Sequence, residues 1–403
     1  MTETKTGNRT EPMIRLDQLT KAYGGQAAPA VDGLTLDIPA GEIVVLVGPS
    51  GCGKTTTMKL INRLIEPTSG RIHLDGKDVT DGNPDVLRRR IGYSIQQTGL
   101  FPHRSVADNI ATVPRMLGWS KDRVAARVDE LLTLVGLDPD KYRRRFPRQL
   151  SGGEQQRVGV ARALGGDPQV MLMDEPFGAI DPLNRASLQN EFLRIQAELK
   201  KTIVFVTHDI DEAVKMGDRI AIFSSNGKVE QYDTPERILS EPVNDFVAGF
   251  IGSGAAVRRL SLSRLADVDI PGDWPTLAEG ASAEERLSAA AAANGREFLL
   301  VLDGERHPVG WLPTDRPADG ERSEMGVPPD EVWGRAIPVL SPLGPRDTLY
   351  EALDQMLTLN AAAAVVTHDD GRYRGVLELD SLRTLIHAQR AGAMTAPTRR
   401  EVR

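Results

Sequence analysis

Two hydrophobic periods alternate along the first 250 residues. Residues 14–20 (IRLDQLT) and 34–38 (LTLDI) place apolar side chains at about every second position, the pattern of strands with one buried face. Residues 42–48 (EIVVLVG), 170–174 (VMLMD) and 202–209 (TIVFVTHD) carry unbroken apolar runs instead, as expected of parallel strands covered on both faces. Between the first and second of these runs, residues 121–136 repeat Val124, Val128, Leu131, Leu132 and Val135 at helical spacing, with Gly136 as a stop. A helical insertion therefore separates two strand-rich stretches. Residues 183–201 (LNRASLQNEFLRIQAELKK) read as a long amphipathic crossover helix joining two parallel strands. The pattern predicts an α/β core with a parallel sheet.

That pattern stops at GFIGSG, residues 249–254, where Ala-rich helical stretches begin to alternate with short strand pairs. A domain boundary is placed there. Residues 297–315 (EFLLVLDGERHPVGWLPTD) and 363–381 (AAVVTHDDGRYRGVLELDS) share a layout of apolar strand, acidic turn and a strand opening on Gly310 or Gly375. An Ala-rich helix is expected before each hairpin, so this half reads as a duplicated small α/β module. The division is a tail at 1–12, a first domain at 13–250 with its helical part at about 98–160, modules at 255–318 and 334–388, a Pro, Gly and acid-rich linker at 319–333, and a second tail at 389–403.

A chain of 403 residues implies two or three domains. Composition mainly excludes. A net charge of −7 gives no reason to expect nucleic acid, and the basic clusters at 88–90 and 143–146 lack interleaved aromatics and read as solvated faces. Cys52 is the single cysteine, which rules out an intrachain disulfide and fits a reducing compartment. The polar N-terminus lacks the apolar core of a signal peptide, and the longest apolar runs fall far short of the roughly 20 residues that span a bilayer. Any membrane role is expected to be carried by a partner.

Candidate chemistry enters at three strand ends. GPSGCGKTT (Gly48, Pro49, Ser50, Gly51, Cys52, Gly53, Lys54, Thr55, Thr56) follows an apolar strand and opens a helix, the context a phosphate-binding loop requires. Its backbone amides would cradle phosphates, Lys54 would reach the β and γ groups of ATP, and Thr55 would offer its hydroxyl to Mg²⁺. VMLMDEP ends in two carboxylates, Asp174 suited to the metal and Glu175 to activating water. TIVFVTHD ends in His208, at the sheet edge where open α/β folds bind ligands. A fourth stretch, LSGGEQQR at 150–157, begins as a helix cap, Ser151 with Glu154, yet Gly152 and Gly153 leave its first amides bare for an anion. The phosphate-binding loop already serves the chain's own nucleotide. These amides are therefore expected to serve another subunit's.

In this order and spacing, GPSGCGKTT, LSGGEQQR, VMLMDEP and VTHD resemble the ATP-binding subunit of an ABC transporter over about residues 13–250. The resemblance implies a P-loop NTPase fold of RecA-like type, with antiparallel β and α-helical subdomains, and a head-to-tail dimer in which Ser151, Gly152 and Gly153 of one copy close over the ATP of the other. Within it, Tyr23 matches the aromatic that stacks on adenine, and Gln96 the glutamine that touches Mg²⁺ beside the docked transmembrane partner. Asp181, in FGAIDP, matches the aspartate that crosses the dimer, although Gly178, Ala179 and Ile180 depart from the commoner Ser-Ala-Leu before it.

KLINRLIEPTSG, SIQQTGLFPH and MDEPFGAIDP are similar to importer ATPases for quaternary amine osmoprotectants, namely glycine betaine, proline betaine, choline and carnitine. That subgroup often ends in paired CBS modules, which the duplicated half resembles. Where a nucleotide-binding CBS module has Thr and then Asp to hold ribose, this chain has Pro313 with Arg316 and Glu378 with Ser381. The resemblance implies ATP and Mg²⁺ as cofactors, a second copy of the chain and a transmembrane permease as partners, an extracytoplasmic binding protein acting through the permease, and a nucleotide or ionic ligand at the CBS pair. It also implies peripheral attachment at the cytoplasmic face of the membrane. The alternative is an ABC-type ATPase without a permease, acting as a regulatory factor.

Overall fold

The computed structural model describes residues 11–25, 28–94, 99–178, 182–293, 295–314, 337–339, 341–359 and 361–385, without the side chains of 182–184 and 283. It divides into two compact units, residues 1–252 and 253–403. Among the described residues no helix is long and apolar enough to cross a membrane.

Among the described residues the strands of the first unit are β1 (Ile14–Lys21), β2 (Val31–Ile38), β3 (Ile43–Val47), β4 (Ser69–Leu74), β5 (Lys77–Asp78), β6 (Ile91–Ser94), β7 (Val170–Asp174), β8 (Thr202–Thr207), β9 (Arg219–Phe223) and β10 (Val229–Asp233). The two hydrophobic periods sort them into two sheets. Alternating strands build an antiparallel sheet of order β2-β1-β4-β5, in which Ile14 faces Ile38 and Leu16 faces Leu36. Continuously apolar strands build a six-stranded sheet of order β10-β9-β3-β8-β7-β6, parallel except for its β9–β10 edge. The main core lies between the sheets, where Ile14, Leu16 and Leu36 meet Val44, Leu46, Leu172 and Val204 around Met58 and Leu60 of the helix Lys54–Ile61. All five residues of β3 are buried, each contributing about 1.5–3 kcal/mol by removal from water. A fully buried strand thus carries the Gly-rich loop.

The insertion between β6 and β7 is helical, running from Val106–Ile110 through Lys121–Leu134 to Gly152–Leu164. Its entry is held by Asn109, fully buried, whose side chain bonds the backbone N–H and C=O of Phe101 and the carbonyls of Arg104 and Ser105. The helix Pro182–Leu199 returns the chain from β7 to the adjacent parallel strand β8.

The second unit contains β11 (Thr276–Ala278), β12 (Phe298–Leu302), β13 (Pro308–Pro313), β14 (Ile337–Pro338), β15 (Ala363–Thr367) and β16 (Tyr373–Glu378). The layout occurs twice. β11 lies parallel to β12, a helix follows it, and the β12–β13 hairpin closes the set. In the second copy Leu343 bridges Val366 in parallel, the helix Leu349–Thr358 follows, and β15 and β16 form the hairpin. Both helices open on a capping box, Ser282 with Glu285 and Thr348 with Glu351.

One element differs from its sequence pattern. The helix before the second hairpin, Leu349–Thr358, is not Ala-rich as expected: it packs through Leu349, Ala352 and Met356, while Ala363 and Ala364 open the expected strand β15. The linker at 319–333 and the tail at 389–403 lie outside the described residues.

Candidate functional site

Strand register assembles the site. Val47 of β3 lies beside Thr207 of β8, and Asp174 of β7 lies beside Val206, so three neighbouring parallel strands end at one edge. From that edge leave the Gly-rich loop, the Asp174–Glu175 pair and His208.

Two glycines of the loop are fixed by what surrounds them. A side chain at Gly48 would strike the Phe223 carbonyl, and one at Gly53, at φ 95°, the Ala30 carbonyl. The loop therefore runs tight against the sheet and begins its helix at Lys54, whose side chain is only 6% exposed. The Lys54 ammonium donates to the carbonyls of Gly48 at 2.7 Å and Pro49 at 2.8 Å. Cys52 is buried in the main core, with its Sγ 3.4 Å from Lys54 Nζ. Ser50 and Gly51 are exposed at the tip, while Thr55 and Thr56 are half-buried.

Thr55 Oγ1 donates to Asp174 Oδ1 at 3.2 Å, joining the first helical turn to the end of β7. Burial pushes the Asp174 carboxyl up, the Thr55 hydrogen bond opposes it, and the charge of Glu175 adds to the rise. Two oxygens, one on a half-buried carboxyl, are donors of the type that holds a hard divalent cation. Glu175 follows in a left-handed backbone conformation at φ 45°, with its N–H bonded to the Val206 carbonyl at 3.0 Å. This turn aims the carboxylate across the sheet edge, where Oε1 lies 3.0 Å from Nδ1 of the exposed His208. A non-glycine residue so held costs on the order of 1–2 kcal/mol, and such strain concentrates at functional sites.

Ser151 caps the helix Gly152–Leu164. Its N–H donates to Glu154 Oε2 at 2.7 Å, and its hydroxyl accepts from the Glu154 N–H at 3.3 Å. Tyr142 donates to the other oxygen of Glu154 at 2.6 Å, and that bond, with the Ser151 amide, holds the Glu154 carboxyl low. Ser151 and Gly152 are exposed, and a side chain at Gly152 would meet nothing within 4 Å. The chain's own packing therefore does not require glycine there. Among the described residues no hydrogen bond joins Ser151–Gly153 to the Gly-rich loop, and the structure leaves this cap apart from the Lys54–Asp174–His208 edge.

Tyr23 stands in the turn after β1, 38% exposed, with the Lys21 ammonium 5.2 Å from its ring centre. Gln96, Asp181 and Arg316 lie outside the described residues. Tyr142, the buttress of the cap, was not legible in the sequence because its only signal is an aromatic beside the basic run 143–145, which Phe146 flanks on the other side.

Comparison with known proteins follows from this geometry. Residues 31–178 match the family model described as ABC transporter. The chain is 43% identical to the osmoprotectant import ATP-binding protein OsmV of Salmonella typhimurium, covering 91% of this chain and 94% of that protein. It is 54% identical to the glycine betaine/carnitine/choline transport ATP-binding protein OpuCA of Bacillus subtilis, covering 85% and 89% respectively. Among solved structures it resembles the dimeric post-hydrolysis state of the ATP-binding cassette MJ0796 bound to ADP and Pi, at 34% identity and a TM-score of 0.50, covering 55% of this chain and 99% of that one.

Proposed function

This chain belongs to the ATP-binding subunits of ABC transporters for osmoprotectant import, and on that footing we propose how its residues divide the work. The subunit binds ATP, and its hydrolysis drives import of osmoprotectants of the betaine, carnitine and choline class. It works as a dimer with membrane permease components.

In our reading the loop Gly48–Thr56 cradles the phosphates, and Lys54 turns from the Gly48 and Pro49 carbonyls onto the β and γ groups. Thr55 and Asp174, with Gln96, hold Mg²⁺, which when bound neutralises charge on those phosphates. Glu175 orients and deprotonates the attacking water. His208 holds the γ-phosphate edge and orients the Glu175 carboxylate. Tyr23 stacks on the adenine. Ser151, Gly152 and Gly153 receive the γ-phosphate of the partner copy's ATP, and Asp181 crosses the dimer. The exposed Gly152 supports that role, since it opens the helix and, among the described residues, a side chain there would meet nothing within 4 Å.

The observation that carries this reading is the Glu175–His208 contact of 3.0 Å at the edge shared with Thr55–Asp174. Lowering charge at a water-activating carboxylate while keeping its shape tests it directly. Glu175→Gln should bind ATP normally and hydrolyse it far more slowly, measured by phosphate release; a normal rate overturns the reading.

The duplicated layout of the second unit supports a tandem CBS module at 255–318 and 334–388 that regulates transport. Pro313 sits in β13 opposite Phe298, and Glu378 pairs with Arg296 at 3.4 Å, so neither position offers the ribose-holding pattern. The subunit is held at the cytoplasmic membrane face through the permease, with an extracytoplasmic binding protein delivering a quaternary amine. Quaternary amines added to the reconstituted transporter should stimulate ATP hydrolysis; no response to any of them would remove that substrate class.

A further inference from the structure

Among the described residues three α-helices open on a capping box of Ser or Thr with Glu, and one of the three is bonded differently. In the helices Ala283–Ala291 and Leu349–Thr358 a single carboxylate oxygen takes both donors of the cap residue. Glu285 Oε2 accepts the Ser282 N–H at 2.8 Å and its hydroxyl at 2.9 Å, and Glu351 Oε2 accepts the Thr348 N–H at 2.7 Å and its hydroxyl at 3.1 Å. At the helix Gly152–Leu164, Glu154 Oε2 takes the Ser151 N–H at 2.7 Å, while Oε1 takes the Tyr142 hydroxyl at 2.6 Å. No hydrogen bond carries the Ser151 hydroxyl proton to either oxygen. Of the three groups that hold this carboxyl low, the Ser151 hydroxyl acts least, after the Tyr142 bond and the Ser151 amide.

Tyr142 meets Glu154 from a base outside that helix. It closes the helix Pro139–Tyr142, its N–H bonded to the Asp138 carbonyl at 3.0 Å and its ring centre 4.6 Å from the Arg145 guanidinium. The carbonyls of Arg143 and Arg145 accept the N–H groups of Ala107 at 3.0 Å and Val106 at 2.8 Å, which ties this segment to the helix Val106–Ile110. On the far side of the cap, Gln155 Nε2 donates to the Leu150 carbonyl at 3.2 Å. The backbone around Ser151 is thus pinned, and the hydroxyl is the part left adjustable.

We propose that Tyr142 is a positioning residue for hydrolysis: by taking one Glu154 oxygen it keeps the Ser151 hydroxyl from closing onto that carboxylate, and leaves its proton for the γ-phosphate of the partner copy's ATP. This rests on the role given to Ser151 above. A phosphate oxygen is recognised by donors, and a hydroxyl already donating to a carboxylate presents only lone pairs to it. Without the phenol, Glu154 is free to turn, and Ser151 takes up the closure that Ser282 and Thr348 show. That closure replaces the lost bond, so the rate falls while the helix stays capped.

The test is steady-state ATP hydrolysis by the full-length protein carrying Tyr142→Phe, Ser151→Ala, the Tyr142→Phe/Ser151→Ala pair and Glu154→Gln. Loss of one donor aimed at developing charge costs about 10²–10³-fold in kcat, so Ser151→Ala should approach that range and Tyr142→Phe, which only diverts the donor, should lower kcat about 5- to 50-fold. Affinity for a fluorescent ATP analogue should stay within about twofold in Tyr142→Phe, because the chain's own loop is untouched, and its melting temperature should not fall. In the Ser151→Ala background Tyr142→Phe should cost nothing further, since the hydroxyl it protects is gone. Glu154→Gln should keep most of the rate, its Oε1 accepting the Ser151 N–H while its Nε2 donates to the phenol oxygen. A wild-type rate in Tyr142→Phe, additive losses in the double variant, a Glu154→Gln loss as large as that of Tyr142→Phe, or a rate loss matched by a fall in melting temperature overturns the proposal and leaves Ser151 in its role. A wild-type rate in Ser151→Ala overturns both.

Discussion

Glu175→Gln is the sharpest perturbation of the site because it changes one atom at a residue whose surroundings are known. The amide keeps the length and planarity of the side chain, and either of its groups can still meet His208 Nδ1 across the 3.0 Å gap. The Glu175 N–H bond to the Val206 carbonyl is untouched, so the left-handed turn at φ 45° and its strain persist in the variant. Weakening of the His208 hydrogen bond is worth about 0.5–1.5 kcal/mol, so through that bond the melting temperature should move by only a few degrees. Activity should respond quite differently. Loss of a positioned general base costs roughly 10²–10⁴-fold, or about 3–5 kcal/mol of transition-state stabilisation. The asymmetry between a small stability change and a large rate change is the signature of a group used in the transition state. Phosphate release at saturating MgATP gives kcat, binding of a fluorescent ATP analogue gives affinity, and size exclusion with ATP reports the closed dimer that slow hydrolysis should accumulate. A kcat within threefold of wild type, or an affinity loss as large as the rate loss, would refute the assignment.

Three further outcomes are expected. On the proposal that Ser151 serves the partner copy's ATP, Ser151→Arg should abolish hydrolysis while ATP binding persists; normal turnover would return LSGGEQQR to a plain helix start. Gly53→Ala forces a side chain against the Ala30 carbonyl at φ 95°, a backbone penalty of about 1–2 kcal/mol before any clash, and should impair ATP binding measured by titration. His307 is raised above its usual value, mainly by the Asp303 carboxylate 3.1 Å from Nδ1 and further by the Asp370 carbonyl. The folded state thus holds the proton more tightly, so this stabilisation is complete below about pH 6.5 and lost as pH rises through the raised value. His307→Gln should lower the melting temperature of the full-length protein at pH 6 and much less at pH 9; an equal deficit at both would exclude the charged pair.

Much of the fold could be read from period alone. The switch from alternating to unbroken apolar strands separates the antiparallel sheet from the parallel one, because a strand covered on one face tolerates polar residues at every second position and a strand covered on both does not. The Gly-rich loop was legible for a related reason: backbone packed against Ala30 and Phe223 admits only glycine at 53 and 48, so the constraint is written in residue type. The helix of the second module was less legible, since Leu349–Thr358 lies where an Ala-rich run was expected and is placed by burial of Leu349, Ala352 and Met356 in the module core. Glu212 was hidden similarly. A carboxylate in a helix reads as solvated until the Gln189 amide, 3.2 Å from its Oε1, is seen beside it.

The sequence by itself determined the phosphate loop, the two carboxylates at the end of VMLMD, the capping box of LSGGEQQR and the division near Gly252, because each depends on contiguous residues whose types carry the constraint. The tertiary structure decided how they meet. Only strand register brings Val47, Asp174 and Thr207 to one edge and sets Glu175 against His208, while Ser151 and Gly152 stand exposed at the start of their helix. Register is a property of pairs of strands far apart in sequence, and a strand's apolar pattern selects it only once its partner packs against the same buried face.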